Sequence, residues 1–446
     1  MHTLRIAFIS LARPTFDVPL ARQVTATARR LLAEAGFALE GPADLVMDLA
    51  GAAAAAQQLA AAEPDLLLVF QATFADSTMV ARLAEASDAP LLLWAVPEAP
   101  TGGRLRLNSL CGVNLAGHAL KLHGRQYFYA YAPPDDTAVL AQIRSLAQAG
   151  RAKRRLARTR IGIIGQHPAG LDSCRLDAPA LRSAFGAEVV EMSLEPVLAG
   201  MEAASETAVD ALYADLSHKL PNLADLPQGP LRGTLSAYVV LAELARSQRL
   251  DGLAVRCWPE FFEQRGCAAC GALSLLNDAH LPASCEADAN GALTQVMLQA
   301  LGGAPTFDCD LVAVDADHDA LVIWHCGKAP LAMADPAAQP EGGLHSNRKT
   351  PLVMEFPLRP GVVTVARVSR EENGRLRLVV GRGEMISAPK SFSGTSGVLR
   401  FGRPAHAVLD TILSEGLEHH LAITYGDYTA ALLALAALFD LPVLEL

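Results

Sequence analysis

The sequence lacks any apolar stretch that approaches the roughly 20 residues needed to cross a bilayer. Its first residues also lack the basic segment and the small-residue cleavage site of a secretory signal. Both absences predict a cytoplasmic protein that has no membrane partner. In such a reducing compartment, we expect most of the 8 cysteines to be free thiols.

Basic charge is scarce as well, since 37 lysines and arginines face 47 acidic residues and the formal net charge is −10. The main basic run, at residues 151–155, lies between two domain-like segments and indicates a solvated linker. Nucleic-acid-binding proteins usually carry basic clusters, so we expect no nucleic-acid partner. A dinucleotide cofactor is also disfavoured, because Gly162, Gly165 and Gly170 do not form the Gly-x-Gly-x-x-Gly fingerprint.

The pattern of apolar residues predicts an α/β protein with three parts. Short apolar strands alternate with helices up to about residue 304, which indicates parallel sheets covered on both faces. Beyond residue 305, strands follow one another without helices between them, and residues 372–374 (ENG) predict a hairpin turn. We therefore expect two doubly wound Rossmann-like (flavodoxin-like) domains at 1–155 and 156–304. A β-rich, antiparallel, barrel-like domain should follow at 305–446, and residues 334–350 are predicted to form a mobile loop.

A group of polar residues near the start of one predicted helix offers ligands for a cation. Glu286 lies at the junction between a proline-containing segment and an apolar helix, and Asp310, His419 and His420 follow later in the chain. Carboxylates and an imidazole suit a hard divalent cation such as Mn²⁺, and the same carboxylates can move protons. Structural explanations also exist for each residue, namely a helix-start carboxylate for Glu286, an exposed strand residue for Asp310 and a polar core group for His420.

Four segments of the chain resemble the L-fucose isomerase and L-arabinose isomerase superfamily. They are residues 13–17 (RPTFD), 282–295, 307–327 and 418–426 (EHHLAITYG). The resemblance implies that Glu286, Asp310 and His420 bind Mn²⁺, with Mg²⁺ or Co²⁺ as substitutes. Asp308 remains an alternative to Asp310, and His419 remains an alternative to His420.

The same resemblance implies an aldose–ketose isomerase that acts through an enediolate, with Glu286 and Asp310 as the catalytic acid–base pair. It also implies a homo-oligomer, a trimer or hexamer, whose sites are shared between subunits. The predicted sugar-binding residues are Arg13, Gln71, Trp94, Asn114, His325 and His419.

The predicted substrate is a hexose, a 6-deoxyhexose or a C6-modified sugar, and a sulfonated sugar such as sulfoquinovose is one candidate. A sulfonate needs cationic donors, for which Arg13, Arg256 and Lys390 are candidates. The alternative function is a non-catalytic sugar-binding protein on a periplasmic-binding-like scaffold.

The cysteines allow a second interpretation. Cys267 and Cys270 form a C-x-x-C motif, with Cys257 and Cys285 nearby in the chain. A structural zinc site needs four ligands, and the second C-x-x-C that usually supplies them is absent. The context also differs from the start of a thioredoxin-like βαβ unit, so ordinary buried thiols are the default expectation.

Overall fold

The computed structural model of the 446-residue chain describes residues 3–303 and 305–446. Contacts divide the chain into two compact units. The first contains the residues up to Arg154 together with Ala430–Leu438, and the second contains Arg155–Thr429 and Phe439–Leu446.

The first unit is built on a parallel sheet of five strands in the order β2-β1-β3-β4-β5. Its strands are β1 (Arg5–Leu11), β2 (Ala38–Glu40), β3 (Leu66–Gln71), β4 (Leu91–Ala95) and β5 (Phe128–Tyr131). Its helices in the chain up to Arg154 are α1 (Val18–Glu34), α2 (Leu49–Ala62), α3 (Ser77–Glu85), α4 (Ser109–Leu122) and α5 (Thr137–Leu156), the last of which runs two residues past the unit boundary. Every residue of β3 and β4 is buried, as is typical of central strands in parallel sheets.

Three aspartates fix the starts of helices in this unit. The side chains of Asp17, Asp48 and Asp76 each accept a backbone N–H from the first turn of α1, α2 and α3. An aspartate at this position satisfies a donor that the helix itself leaves unpaired. The helix boundaries therefore follow directly from the local sequence.

The second unit begins with a parallel sheet of four strands in the order β7-β6-β8-β9. These strands are β6 (Arg160–Ile164), β7 (Glu188–Met192), β8 (Gly252–Val255) and β9 (Ala283–Ser284). The helices are α6 (Ala178–Phe185), α7 (Glu195–Glu202), α8 (Glu206–Lys219), α9 (Gln228–Gln248), α10 (Glu260–Arg265), α11 (Ala269–Asp278) and α12 (Ala289–Gly302).

An antiparallel β-barrel of six strands follows. Its strands pair in the order β16-β11-β10-β17-β14-β15, and β15 pairs with β16 to close the barrel. The strands after α12 are β10 (Phe307–Asp315), β11 (Ala320–His325), β12 (Glu341–Gly343), β13 (Val353–Pro357), β14 (Gly361–Arg370), β15 (Leu376–Ile386), β16 (Thr395–Phe401), β17 (His420–Tyr425) and β18 (Val443–Glu445). The last helices are α13 (Ala405–Ser414) and α14 (Thr429–Leu438).

Helix α12 joins the parallel sheet to the barrel. It packs against β8 and β9 on one side and against β14 and β17 on the other. Almost all of its residues are buried, because barrel and sheet cover it together. The residues just before α12 are consequently held between strand ends of both substructures.

These observations confirm the predicted α/β class, with parallel-sheet Rossmann-like units and a C-terminal antiparallel barrel. The predicted hairpin turn is present, because Arg370 pairs with Leu376 across β14 and β15. Residues 334–350 differ from the expected loop, since they include β12, which pairs with β13. Among the described residues, no helix is long and apolar enough to cross a membrane.

Candidate metal and catalytic site

The site is centred on the short connection between β9 and α12. Glu286 and Ala287 have φ angles of 57° and 56°, in the left-handed region that residues other than glycine rarely occupy. The N–H of Ala287 donates to the carbonyl oxygen of Val255 at 3.1 Å, which ties the connection to the carboxyl end of β8. Backbone strain of this kind is concentrated at functional sites. Here the strained backbone includes Glu286, a predicted metal ligand.

Glu286 is partly buried and surrounded by donors. Its Oε2 lies 3.0 Å from Nε2 of His419, and its Oε1 accepts the indole N–H of Trp258 at 3.3 Å. Burial opposes ionisation of the carboxyl group, but the His419 hydrogen bond and the nearby histidine charges outweigh it and lower the pKa of Glu286. Glu286 is therefore a carboxylate at neutral pH.

Strand pairing brings Asp310 and His420 to the same place. The two residues are direct partners in the antiparallel pair of β10 and β17. Nε2 of His420 lies 3.7 Å from Oδ1 of Asp310 and 3.9 Å from Oε2 of Glu286. The structure thus brings together the three residues that the sequence predicted as metal ligands.

The rival aspartate on β10 has a different environment. Asp308 and Lys328 are fully buried and form an ion pair. Lys328 also donates to Sγ of Cys285 at 3.4 Å. Asp308 is therefore neutralised by its own lysine, whereas no cation of the described chain forms an ion pair with Asp310 other than His420.

A buried carboxylate orients the ring of His420. Nδ1 of His420 lies 2.9 Å from Oδ2 of Asp288, and the guanidinium of Arg367 donates to both oxygens of Asp288 at 2.5 and 3.1 Å. Burial disfavours the charge of Asp288, but Arg367 and His420 outweigh it and hold the pKa of this carboxyl far below its usual range. The ionised Asp288 keeps the proton of His420 on Nδ1, which leaves the lone pair of Nε2 available to a cation.

The residues present fit a divalent cation. Oδ1 of Asp310 is buried and has no hydrogen-bond partner within the described chain. Burial raises the pKa of Asp310, opposed by the charges of His420 and His419. A bound cation would relieve this burial penalty, and two carboxylates with one imidazole form a donor set for such an ion. The group around Glu286 whose ligand atoms lie within 4.8 Å of one another consists of Cys174, Glu286, His419 and His420, and Asp310 joins it only through its 3.7 Å approach to His420.

The other two histidines flank this centre. Nδ1 of His419 lies 2.8 Å from Oγ of Ser173, and the hydrogen bond to Glu286 raises the pKa of His419. The buried ring of His325 lies 5.6 Å from that of His420, measured between ring centroids. Burial lowers the pKa of His325 well below its usual value, so this ring is neutral.

The four candidates in the first unit have varied environments. Arg13 forms an ion pair with Asp76, and Asn114 is exposed on α4. Trp94 is fully buried, and its indole N–H donates to the carbonyl oxygen of Ala132 at 2.9 Å. The side chain of Gln71 is also fully buried, and none of its polar atoms has a hydrogen-bond partner in the described chain. Their roles in sugar binding stay predictions.

Sequence reasoning missed Asp288, Arg367, Lys328 and Trp258. Asp288 caps α12 by accepting the N–H of Gly291 at 2.9 Å, and an aspartate before a helix predicts no more than that role. Arg367 gave a stronger signal, since an arginine inside an apolar strand needs a buried partner. The sequence offered no means of choosing that partner among many carboxylates.

Comparisons with known proteins identify the family of this chain. The family profile "Fucose/sulfoquinovose isomerase, N-terminal domain" matches residues 7–157, and "L-fucose isomerase, C-terminal domain" matches residues 323–446. The sulfoquinovose isomerase of Alkalicoccus urumqiensis is 32% identical over 447 residues, which cover 99% of each chain. Those of Clostridium sp. (strain MSTE9) and Priestia megaterium are 30% and 28% identical, again over 99% of each chain.

The matching family and relatives define an intramolecular oxidoreductase, an enzyme that interconverts an aldose and its ketose. The chain belongs to the fucose/sulfoquinovose isomerase family. This confirms the resemblance and the enzyme class predicted from the sequence. Because isomerases match the chain over its full length, the non-catalytic sugar-binding alternative is disfavoured.

Among solved structures, the glucose-galactose binding protein GanP of Geobacillus stearothermophilus aligns with 68% of this chain and 92% of its own. The sequences are 14% identical and the TM-score is 0.19, which is too low to support a conclusion about fold or function.

Proposed function

We propose that this isomerase converts a C6-modified aldose, sulfoquinovose in particular, into its ketose through an enediolate, with Mn²⁺ as the bound metal. One observation carries the proposal. Nε2 of His420 lies within 4 Å of carboxylate oxygens of both Glu286 and Asp310, while its other nitrogen is held by the buried Asp288. The arrangement combines cation ligands with groups that can exchange protons.

Glu286, Asp310 and His420 would hold the metal. When bound, the cation would polarise the sugar carbonyl and stabilise the negative charge that develops on the sugar oxygens. Asp288 and Arg367 contribute by fixing the ring of His420. His325, which stays neutral, is suited to hydrogen bonding with a sugar hydroxyl rather than to binding a charge.

Proton transfer is assigned to the two carboxylates. Glu286 is ionised, so it can remove the proton from C2 of the open-chain sugar. Asp310 lies 3.7 Å from the same histidine nitrogen. In its protonated form, which burial favours by raising its pKa, Asp310 can deliver its proton to C1, while one proton moves from O2 to O1. The two residues then have exchanged protonation states, which suits a reversible reaction.

Glu286→Gln tests this assignment. Glutamine keeps the size of the side chain and an acceptor for Trp258, but it removes the base and weakens the metal site. We expect kcat for ketose formation with Mn²⁺ to fall by about 10²–10⁴-fold while the circular dichroism spectrum is unchanged. Glu384→Gln is the matched control, because Glu384 forms an exposed ion pair with Arg400. Retained turnover in Glu286→Gln would refute the proposed base.

The sulfonate is assigned to Arg175. The sequence candidates Arg256 and Lys390 are neutralised by Glu260 and Glu355, as Arg13 is by Asp76 within the first unit. The guanidinium of Arg175 has no ion-pair or hydrogen-bond partner in the described chain, and it lines an open pocket of about 1100 Å³. Ser173, which bonds to His419, lines the same pocket. An unpaired arginine is suited to a strongly acidic oxyanion.

A panel of neutral, 6-deoxy and 6-sulfo aldoses tests this assignment with Arg175→Gln. We expect KM for the 6-sulfo sugar to rise at least about tenfold, as for a lost charge-assisted hydrogen bond of 1.5–3 kcal/mol. KM for the neutral sugars should not change. An equal effect on all sugars would contradict a role in sulfonate recognition.

We further propose that both parallel sheets are doubly wound, and that the chain has three domains, at 1–155, 156–304 and 305–446. The strand order β2-β1-β3-β4-β5 supports the first part, because the order reverses between β1 and β3. A homo-oligomer with shared sites is also proposed. Light scattering combined with size-exclusion chromatography would give its mass.

A further inference from the structure

Two cysteines and a histidine that the proposed reaction does not use lie close together. Sγ of Cys270, in α11, is 3.0 Å from Sγ of Cys326, which directly follows β11. A ring nitrogen of His345 lies within 4.8 Å of both sulfur atoms. We refer to Cys270, Cys326 and His345 as the thiol cluster. Three separate segments of the second unit contribute to it.

The cluster does not correspond to the C-x-x-C motif. Cys267 is fully buried near Gly233, in the core formed by α9 and the parallel sheet. Cys270 belongs instead to a small apolar cluster with Ala268 and Val353, against which Cys326 packs. The thiol that Cys270 contacts is therefore 56 residues away along the chain and lies outside the motif.

The thiol cluster is held in place by packing and hydrogen bonding of the His345 loop. The ring of His345 packs edge-on against Phe262, with 5.1 Å between centroids. The N–H of His345 donates to the carbonyl oxygen of Thr350 at 2.9 Å, which closes the loop that carries it. Cys326 and His345 are only partly buried, so the cluster lies close to the protein surface.

We propose that Cys270, Cys326 and His345 form a second metal site, which binds a soft divalent cation such as Zn²⁺. Two thiolates and an imidazole are the donor set that zinc prefers, whereas Mn²⁺ and Mg²⁺ prefer oxygen. A zinc–sulfur bond of about 2.3 Å places two tetrahedral thiolates about 3.8 Å apart. The observed 3.0 Å requires the sulfur atoms to separate slightly. Water would complete the coordination, as in zinc sites with three protein ligands.

A disulfide is the competing fate of the two cysteines. It would require the sulfur atoms to approach to about 2.05 Å, and it would leave His345 without a role. The position of this histidine beside both thiols therefore favours the metal site.

The location links this site to the candidate catalytic centre. Arg348, on the His345 loop, stacks over Phe262 and Trp258 at 5.0 and 5.6 Å. Trp258 donates its indole N–H to Glu286, and the N–H of Cys326 donates to Nδ1 of His325 at 2.8 Å. A cation in the cluster would hold this loop next to the groups that position Glu286 and His325.

Cobalt(II) titration of the reduced full-length protein tests the proposal, because thiolate ligation gives an absorption band from charge transfer between sulfur and cobalt. We expect the band in the wild-type protein and its loss in Cys270→Ser and Cys326→Ser. In His345→Gln, the cobalt affinity measured from the band should fall at least about tenfold. Cys267→Ser is the matched control and should keep the band. Cobalt bound only by Glu286, Asp310 and His420 gives no such band.

A second measurement needs no variant. Saturation with Zn²⁺ should protect Cys270 and Cys326 from alkylation, mapped by mass spectrometry, and should leave the exposed Cys111 reactive. The proposal is overturned if the reduced wild-type protein shows no band, or if the band survives in both serine variants. It is also overturned if Zn²⁺ leaves alkylation of the two cysteines unchanged.

Discussion

Replacing Asp288 by asparagine removes the negative charge of this side chain and keeps its size and shape. The carboxylate accepts from four donors, namely two N–H groups of Arg367, the N–H of Gly291 and Nδ1 of His420. Asparagine is as good a helix N-cap as aspartate, so the start of α12 should survive. Its NH₂ group must nevertheless face a donor in either orientation of the amide.

The expected magnitudes follow from burial. The side chains of Asp288 and Arg367 are each 1% exposed. Removing one partner of a buried ion pair costs about 3–5 kcal/mol of the free energy of unfolding, because the other charge remains without compensation. If the amide of the new asparagine donates to Nδ1 of His420, the ring proton moves to Nε2. A protonated Nε2 cannot bind the metal. Loss of such an orienting partner typically weakens metal binding by about 10–100-fold.

Two assays measure these effects. Urea unfolding in the absence of divalent cations, followed by circular dichroism, gives the loss of stability. Calorimetric titration with Mn²⁺ gives the change in Kd. Asp177→Asn is the matched control, because Asp177 also caps a helix and pairs with an arginine, Arg370, but both side chains are partly exposed. It should cost less than about 1 kcal/mol and leave Mn²⁺ binding unchanged.

The reasoning fails if Asp288→Asn is as stable as Asp177→Asn and binds Mn²⁺ as tightly as the wild-type protein. That result would mean that Asp288 neither compensates Arg367 nor controls the protonated nitrogen of His420.

Three further predictions concern the same region. Lys328→Met should lower the free energy of unfolding, measured by urea unfolding, by about 3–5 kcal/mol, since it leaves the fully buried Asp308 without its cation. The double variant Lys328→Met/Asp308→Leu should recover much of the lost stability. No recovery in the double variant would argue against a structural ion pair. Gly291→Ala should destabilise the protein, because its Cβ would lie 2.6 Å from Oδ2 of Asp288. The control is Gly229→Ala, in α9, where the new Cβ meets no described atom within 4 Å and should stabilise the protein by about 0.5–1 kcal/mol. A thermal-shift assay compares the two variants. Folding lowers the pKa of Asp288 far below its usual value. Its stabilisation is therefore fully present above the unfolded pKa of about 4 and is lost progressively as the pH falls from there through the lower folded pKa. The difference in urea midpoint between wild-type and Asp288→Asn protein should stay constant from about pH 7 to about pH 5 and shrink below about pH 4, and a difference that does not shrink there would contradict this.

Much of the fold could be predicted because its signals are local. Buried apolar runs alternating with helices predicted the parallel sheets, and uninterrupted strands predicted the barrel. Asn373 and Gly374 marked the hairpin between β14 and β15. The short β12 was missed, because three residues carry too little pattern to distinguish a strand from a loop.

The candidate site was predicted in part. Motif resemblance identified Glu286, Asp310 and His420, and the structure places these residues close together. Their chemical roles stay predictions. Arg256 and Lys390 illustrate the limit for charged residues, since the sequence shows a cation but not the carboxylate that neutralises it.

The sequence by itself determined the helices and strands, the types of side chain that could bind a metal, and the family of this protein. Residue type and spacing act over a few neighbours, and motifs persist in relatives, so both can be read without coordinates. Only the tertiary structure decided which groups meet. The register of β10 against β17 pairs Asp310 with His420, and a slip of one residue would turn these side chains to the opposite face. The same long-range packing placed Arg367 against Asp288 and Cys270 against Cys326, because such contacts depend on how distant segments fill one interior.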